Sequence, residues 1–277
     1  EATVRMTIGQ VYGEAMQIPQ AIEQERRALE LFERHLGPED ARTQQARYRL
    51  ATDLTDDSRF TEARALIDDT DALRRKLAID DVETTLISRR AGCYWYIRRA
   101  QYDAGLAACE GVVASQLAFD PNDHTSLIQA RTNLAVLHSR AGRIEQAEEQ
   151  FTMVHTSFAE LDDHGSPTRL RVDYLHGMNL LALGRLEDAA RTLGAAHRGS
   201  VAALGADNPH TLEVQMGLAK LHLARSRPAE AVPLLRFAHA AYLRQLGKAG
   251  HFTMEAREAP DHALCGTARG RAGAMSR

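Results

Sequence analysis

The stretch Arg143-Ile144-Glu145-Gln146-Ala147 returns as Arg185-Leu186-Glu187-Asp188-Ala189, 42 residues later. The same order of turn residue, apolar residue, two variable residues and small residue extends in both directions from there. It reads Gln17-Ile18-Pro19-Gln20-Ala21, Arg59-Phe60-Thr61-Glu62-Ala63 and Gln101-Tyr102-Asp103-Ala104-Gly105 before it, and Arg227-Pro228-Ala229-Glu230-Ala231 after it. The small residues stand at 21, 63, 105, 147, 189 and 231, so the interval never departs from 42. A second small column keeps the same beat 12 residues earlier, at Gly9, Ala51, Cys93, Ala135, Gly177 and Ala219. Two columns in one fixed period mark a tandem repeat of a supersecondary unit.

Packing explains why these positions stay small. Antiparallel helices come closest where side chains are short, and larger apolar residues then fill the space around the contact. Ile8, Leu50, Leu134 and Leu218 stand one residue before the Gly9–Ala219 column, and Tyr12, Leu54, Tyr96 and Leu180 follow it by three. Ile67, Cys109, Phe151, Leu193 and Leu235 lie four beyond the Ala21–Ala231 column. These offsets belong to one face of a helix. The period therefore predicts first helices near 2–14, 42–56, 84–99, 124–141, 167–183 and 209–225. Second helices follow near 18–35, 60–77, 102–118, 144–160, 186–203 and 228–246. Ser166-Pro167 and Asn208-Pro209 set a capping residue before a first-turn proline, and Gly142 and Gly184 sit where the chain must reverse. Pro233 is placed within about one turn of a helix start.

Small–x11–small with an apolar residue three before the second small position resembles the tetratricopeptide repeat, in its 42-residue form similar to that of kinesin light chains and bacterial regulatory proteins. The linkers Leu36-Gly37-Pro38-Glu39-Asp40 and Leu204-Gly205-Ala206-Asp207-Asn208-Pro209-His210-Thr211 resemble that family's "LG-x-D-x-P-x-T", and Thr43, Thr85, Thr211 and Thr253 keep the beat. The resemblance implies an all-α fold, a right-handed superhelical solenoid of about six helix–turn–helix repeats. The array is expected over 1–253, with repeats near 2–37, 41–79, 83–119, 123–161, 166–204 and 208–246. Asp261 after Pro260 breaks a seventh copy, and 254–277 is expected to be a frayed or disordered tail.

The chemistry of composition is sparse. Lys and Arg total 34 against 37 Asp and Glu, a net charge of -3, which gives no basis for nucleic-acid binding or for an anionic membrane surface. No apolar run reaches the length of a membrane span. No phosphate loop, nucleophile elbow or zinc-protease motif is present, so this segment is read as non-enzymatic, with no cofactor and no metal. His138 and His222 fall two periods apart in a packing slot, and Asp162-Asp163-His164 reads as a solvated linker. Cys93 and Cys109 occupy packing columns and read as buried structural thiols, with a disulfide between them open in an oxidising compartment.

One cluster stands out. Arg89-Arg90-Ala91-Gly92-Cys93-Tyr94-Trp95-Tyr96-Ile97-Arg98-Arg99 holds the single Trp, and Arg90, Tyr94 and Arg98 recur at four-residue spacing. The family resemblance implies that first helices line a concave groove, so these three residues are the expected partner-binding groove. Tyr48, Thr52, Gln129, Asn133, Arg171, Tyr174, Met178, Glu213 and Lys220 join them from neighbouring repeats. Arg and Tyr suit an extended peptide bearing acidic groups or a C-terminal carboxylate. Of the Asn ladder that related repeats carry, only Asn133 is present.

The reading that follows is a protein- or peptide-binding module, the sensory segment of a larger bacterial regulator that carries a serine/threonine kinase or winged-helix domain ahead of Glu1, in the cytoplasm. Two others stand beside it: a self-associating scaffold, and the accessory region of an enzyme whose catalytic domain lies elsewhere. The register itself is testable. Ala135→Leu should overpack one hairpin contact and lower unfolding stability by roughly 1–3 kcal/mol in urea titrations; full tolerance would contradict the column assignment.

Overall fold

The computed structural model describes residues 1–14, 17–77 and 82–246. Its described residues form twelve α-helices: α1 (Ala2–Glu14), α2 (Ile18–Leu36), α3 (Ala41–Asp56), α4 (Phe60–Lys76), α5 (Val82–Arg98), α6 (Tyr102–Phe119), α7 (His124–Arg140), α8 (Ile144–Glu160), α9 (Pro167–Ala182), α10 (Leu186–Leu204), α11 (Pro209–Ala224) and α12 (Pro228–Leu246). No strand occurs among them, and each helix falls within two residues of where the period places it. The sequence-predicted tail at 254–277 and the failed seventh repeat at Thr253 lie outside the described residues.

Contacts divide the chain into two compact units, Glu1–Ser157 and Phe158–Arg277, the division falling inside α8. In the first unit α1 packs on α2, α3 on α4 and α5 on α6, and α2 and α6 also pack on the next first helix. The second unit repeats this with α9 on α10, α10 on α11 and α11 on α12. Ala51, Ala63, Ala135, Ala147, Ala189, Ala219 and Ala231 are all fully buried, which is the close helix approach that the two small columns require. Around them the first unit buries clusters such as Ile22, Leu29, Phe32, Leu50 and Leu54. The second unit buries Leu180, Ala189, Leu193 and Leu221, and separately Leu212, Leu235, Ala238 and Tyr242.

The linkers perform the tasks their residues allow. Asp40, Ser166 and Asn208 cap the helices that follow them, accepting from the backbone N–H of Arg42, Arg169 and His210. Thr43 Oγ1 donates to the Gly37 carbonyl at 2.8 Å and ties the linker to the new helix. Gly142 and Gly184 take φ of +77° and +72° at the turn inside their hairpins. Ser58, Ala100 and Ser226 fill the same column, again at 42-residue steps, and are forced into the left-handed region at φ of 62°, 58° and 58°. Pro233 differs from expectation. It stands five residues after Pro228, past the first turn, so α12 forgoes one internal hydrogen bond there.

Cys93 and Cys109 form a disulfide, with Cα atoms 4.9 Å apart, that joins α5 to α6 covalently. Both are buried. The left-handed turn column yields the second test. Ala100→Gly relieves a Cβ clash that costs a non-glycine residue about 1 kcal/mol or more, so its unfolding midpoint in urea should rise rather than fall.

Candidate binding faces on the first helices

The expected groove residues do not share one environment, and the period explains how they differ. Tyr48, Arg90 and Tyr174 occupy a single column, 42 and 84 residues apart. In the first unit that column leans toward the second helix of its own hairpin. Tyr48 is only 1% exposed, and its hydroxyl donates to Asp71 Oδ1 of α4 at 2.6 Å. Ser88 of α5 donates to the same carboxylate oxygen at 2.5 Å. Burial and the Asp71 bond push the Tyr48 hydroxyl up to about 12. Tyr48 is therefore a core residue that joins α3 to α4, and its expected place in an open groove is corrected. Arg90 donates through Nη2 to Gln116 Oε1 of α6 at 2.7 Å and is half-buried, which pulls its pKa below the ordinary arginine value.

Tyr94 and Arg98 lie one and two turns further along α5, on the more open side. The Tyr94 hydroxyl donates to Asp56 Oδ1 at 2.5 Å, and Arg98 Nε lies 3.3 Å from the same oxygen. Asp56 ends α3 and stands one period before Arg98, so one column supplies an acid from one hairpin and a base from the next. The Arg98 side chain remains 44% exposed. Behind this row, Trp95 Nε1 donates to the Phe60 carbonyl at 2.9 Å, and the Arg64 guanidinium lies over its ring at 5.6 Å. The single Trp thus anchors α5 to α4 and is no part of an open face. On α7, Gln129 is exposed and Asn133 half-buried.

Arg171, Tyr174 and Lys220 belong to the second unit. Arg171 and Lys220 are exposed on α9 and α11, while Tyr174 is half-buried with its ring edge-on to His210 at 6.1 Å. The twelve expected residues thus divide into seven on the first unit, of which Tyr48 alone is buried, and five on the second.

Reasoning from sequence passed over a group beside the first-unit row. Arg49 Nε donates at 2.8 Å to Glu25, which is fully buried, and Asp53 lies beside them at 6% exposure. The signal was available: Glu25 stands in the column otherwise held by Ile67, Cys109, Phe151, Leu193 and Leu235, and Asp53 in one that holds Val11, Leu137 and Leu221. A carboxylate in an apolar column needs a partner or a proton. His138 is buried, and burial lowers its pKa. Among the described residues no three His, Cys, Asp or Glu side chains converge as a metal site, and no helix is long and apolar enough to cross a membrane.

The protein so defined is an array of helical hairpins held at small-residue contacts, with its polar features on the first helices. A family model described as tetratricopeptide repeat matches residues 128–151 and 170–195, so the chain carries tetratricopeptide repeats. Among solved structures it is similar to a putative kinesin light chain of Podosopora anserina with nearly identical TPR-like repeats, at 22% identity and a TM-score of 0.59 over 75% of this chain and 99% of that one. It is similar also to a Rap protein complexed with Competence and Sporulation Factor, at 12% identity and a TM-score of 0.66 over 94% and 75%. BtubC (BKLC) from P. vanneervenii is similar at 17% identity and a TM-score of 0.51 over 77% and 91%. These likenesses establish the fold. No curated protein matches the sequence.

The correction at Tyr48 has its own test. Tyr48→Phe leaves Asp71 with one donor fewer and should lower stability by about 1–2 kcal/mol in urea unfolding.

Proposed function

We propose that the chain is a protein-interaction module whose first unit takes an extended acidic segment of a partner on the α5 face formed by Arg90, Tyr94 and Arg98, with Gln129 and Asn133 of α7 beside it. The observation that carries this reading is the row itself. A tyrosine and an exposed arginine are held in place by one carboxylate, Asp56, whose two donors can turn to a partner carboxylate with little loss. Charge-assisted bonds from guanidinium to carboxylate are among the stronger polar contacts, and a side chain already held by its neighbours loses less entropy on binding. Arg171, Tyr174 and Lys220 form a second, separate contact set on the second unit. The Rap structure was solved with Competence and Sporulation Factor, which supports a partner-binding use of such a fold.

The segment is read as non-catalytic and cytoplasmic, the sensory part of a bacterial signalling regulator with a kinase or winged-helix domain ahead of Glu1. The full-length gene tests that parentage directly. Self-association is the alternative, and a sedimentation coefficient that rises with concentration would favour it.

Binding is tested by fluorescence anisotropy with labelled extended peptides, one rich in Asp and Glu and one with those residues amidated. The acidic peptide should bind more tightly, and Arg98→Glu should weaken it about tenfold, equivalent to about 1.4 kcal/mol. Equal binding of both peptides, or binding unchanged by Arg98→Glu, removes the α5 face as the site.

A further inference from the structure

Beneath α1, between α2 and α3, two acids share one base. Glu25 of α2 is 0% exposed, and its Oε1 accepts from Arg49 Nε at 2.8 Å. Its Oε2 has no hydrogen-bond partner, and neither has Oδ2 of the buried Asp53 on α3. The roof over both is made by two glycines of α1. A Cβ at Gly9 would come within 2.8 Å of Glu25 Cγ, so α1 lies directly on that side chain. A Cβ at Gly13 would stand 3.6 Å from Asp53 Oδ2.

Among the described residues, the charges that act on the pair are few. From α3 come Arg49, Asp53 itself and, further along, Asp56, whose charge acts against that of Asp53. Tyr94 and Arg98 of α5 both bond to Asp56. On α1 the two glycines lie against the pair, and Arg5 of α1 is turned to Glu1 and to Gln24 of α2. One guanidinium therefore serves two buried carboxyls, and two negative charges removed from water with one counter-charge are strongly disfavoured.

We propose that Glu25 and Asp53 form a proton-operated latch, holding α1 on α2 and α3 while the pair keeps a proton and releasing it when both carboxyls are ionised. The released state lets water reach both charges, and α1 is the element free to move because it packs mainly on α2.

The direction follows from linkage. Burial, reinforced by the Asp53 charge, pushes Glu25 up from 4.5 to about 8, and burial raises Asp53 as well. A folded-state pKa above the unfolded value means that the folded state binds more protons. Its contribution to α1 docking is full below about 4.5 and is lost as pH rises through about 8. This is the reverse of the acid sensitivity that salt-bridged carboxylates confer.

Hydrogen exchange of the full chain, read by mass spectrometry and corrected for intrinsic rates, tests the latch at pH 6 and pH 9. Protection over residues 2–14 should fall at least tenfold at pH 9 while that of α7 holds, and Glu25→Gln should abolish the fall. Protection of α1 that is the same at both pH values, or a fall that persists in Glu25→Gln, overturns the proposal. Should Glu25→Gln fail to fold, carbon NMR titration of the wild-type Glu25 carboxyl decides. A midpoint near 8 supports the latch, and one in the ordinary glutamate range overturns it.

Discussion

Everything in this chain hangs on the contact between two small residues, one from each helix of a hairpin. Ala51 and Ala63, Ala135 and Ala147, and Ala219 and Ala231 are all fully buried, and their lack of bulk lets two backbones approach closely enough for the flanking Leu, Ile and Phe side chains to interlock. Because each repeat is one such contact with its surroundings, the fold is a sum of neighbour interactions. That locality gives the array its tolerance. A hairpin can replace an apolar pair by a disulfide, as Cys93 and Cys109 do, without disturbing the next.

The same locality leaves one side of each first helix comparatively free of packing duty, and polar chemistry collects there. Asp56, Tyr94 and Arg98 lie on α3 and α5 in columns the small-residue positions do not use, and Tyr94 and Arg98 bond to Asp56 across hairpins. Asp56 and Arg98 occupy equivalent positions one period apart, so the repeat geometry brings acid and base into register. Such a pair, with side chains 44% and 28% exposed, adds little to stability. Its value is in orienting side chains that a partner can use.

Where a polar residue intrudes on a packing column, the consequence depends on what meets it. Glu25 and Asp53 meet each other and a single arginine, and the result is a strained ionic balance. Tyr48 meets Asp71 and Ser88, and the result is a satisfied buried network. Residues of the same polar character, set in the same pattern, thus end in opposite states.

From the sequence alone, the period settles helix number, helix bounds to within two residues, the small and apolar columns, the caps at Ser166 and Asn208, and the turn glycines. These depend on residues near one another in the chain and on a period repeated six times, so single departures do not obscure them. Tertiary structure decided what the period cannot see. It turned Tyr48 and Arg90 toward α4 and α6, gave the single Trp to an α5–α4 anchor, closed the Cys93–Cys109 bond, and brought Glu25 against Asp53. A period assigns each residue a side of its own helix. Which partner stands opposite depends on side chains from a different helix, tens of residues away, and on whether they bring a charge, a hydrogen bond or nothing at all.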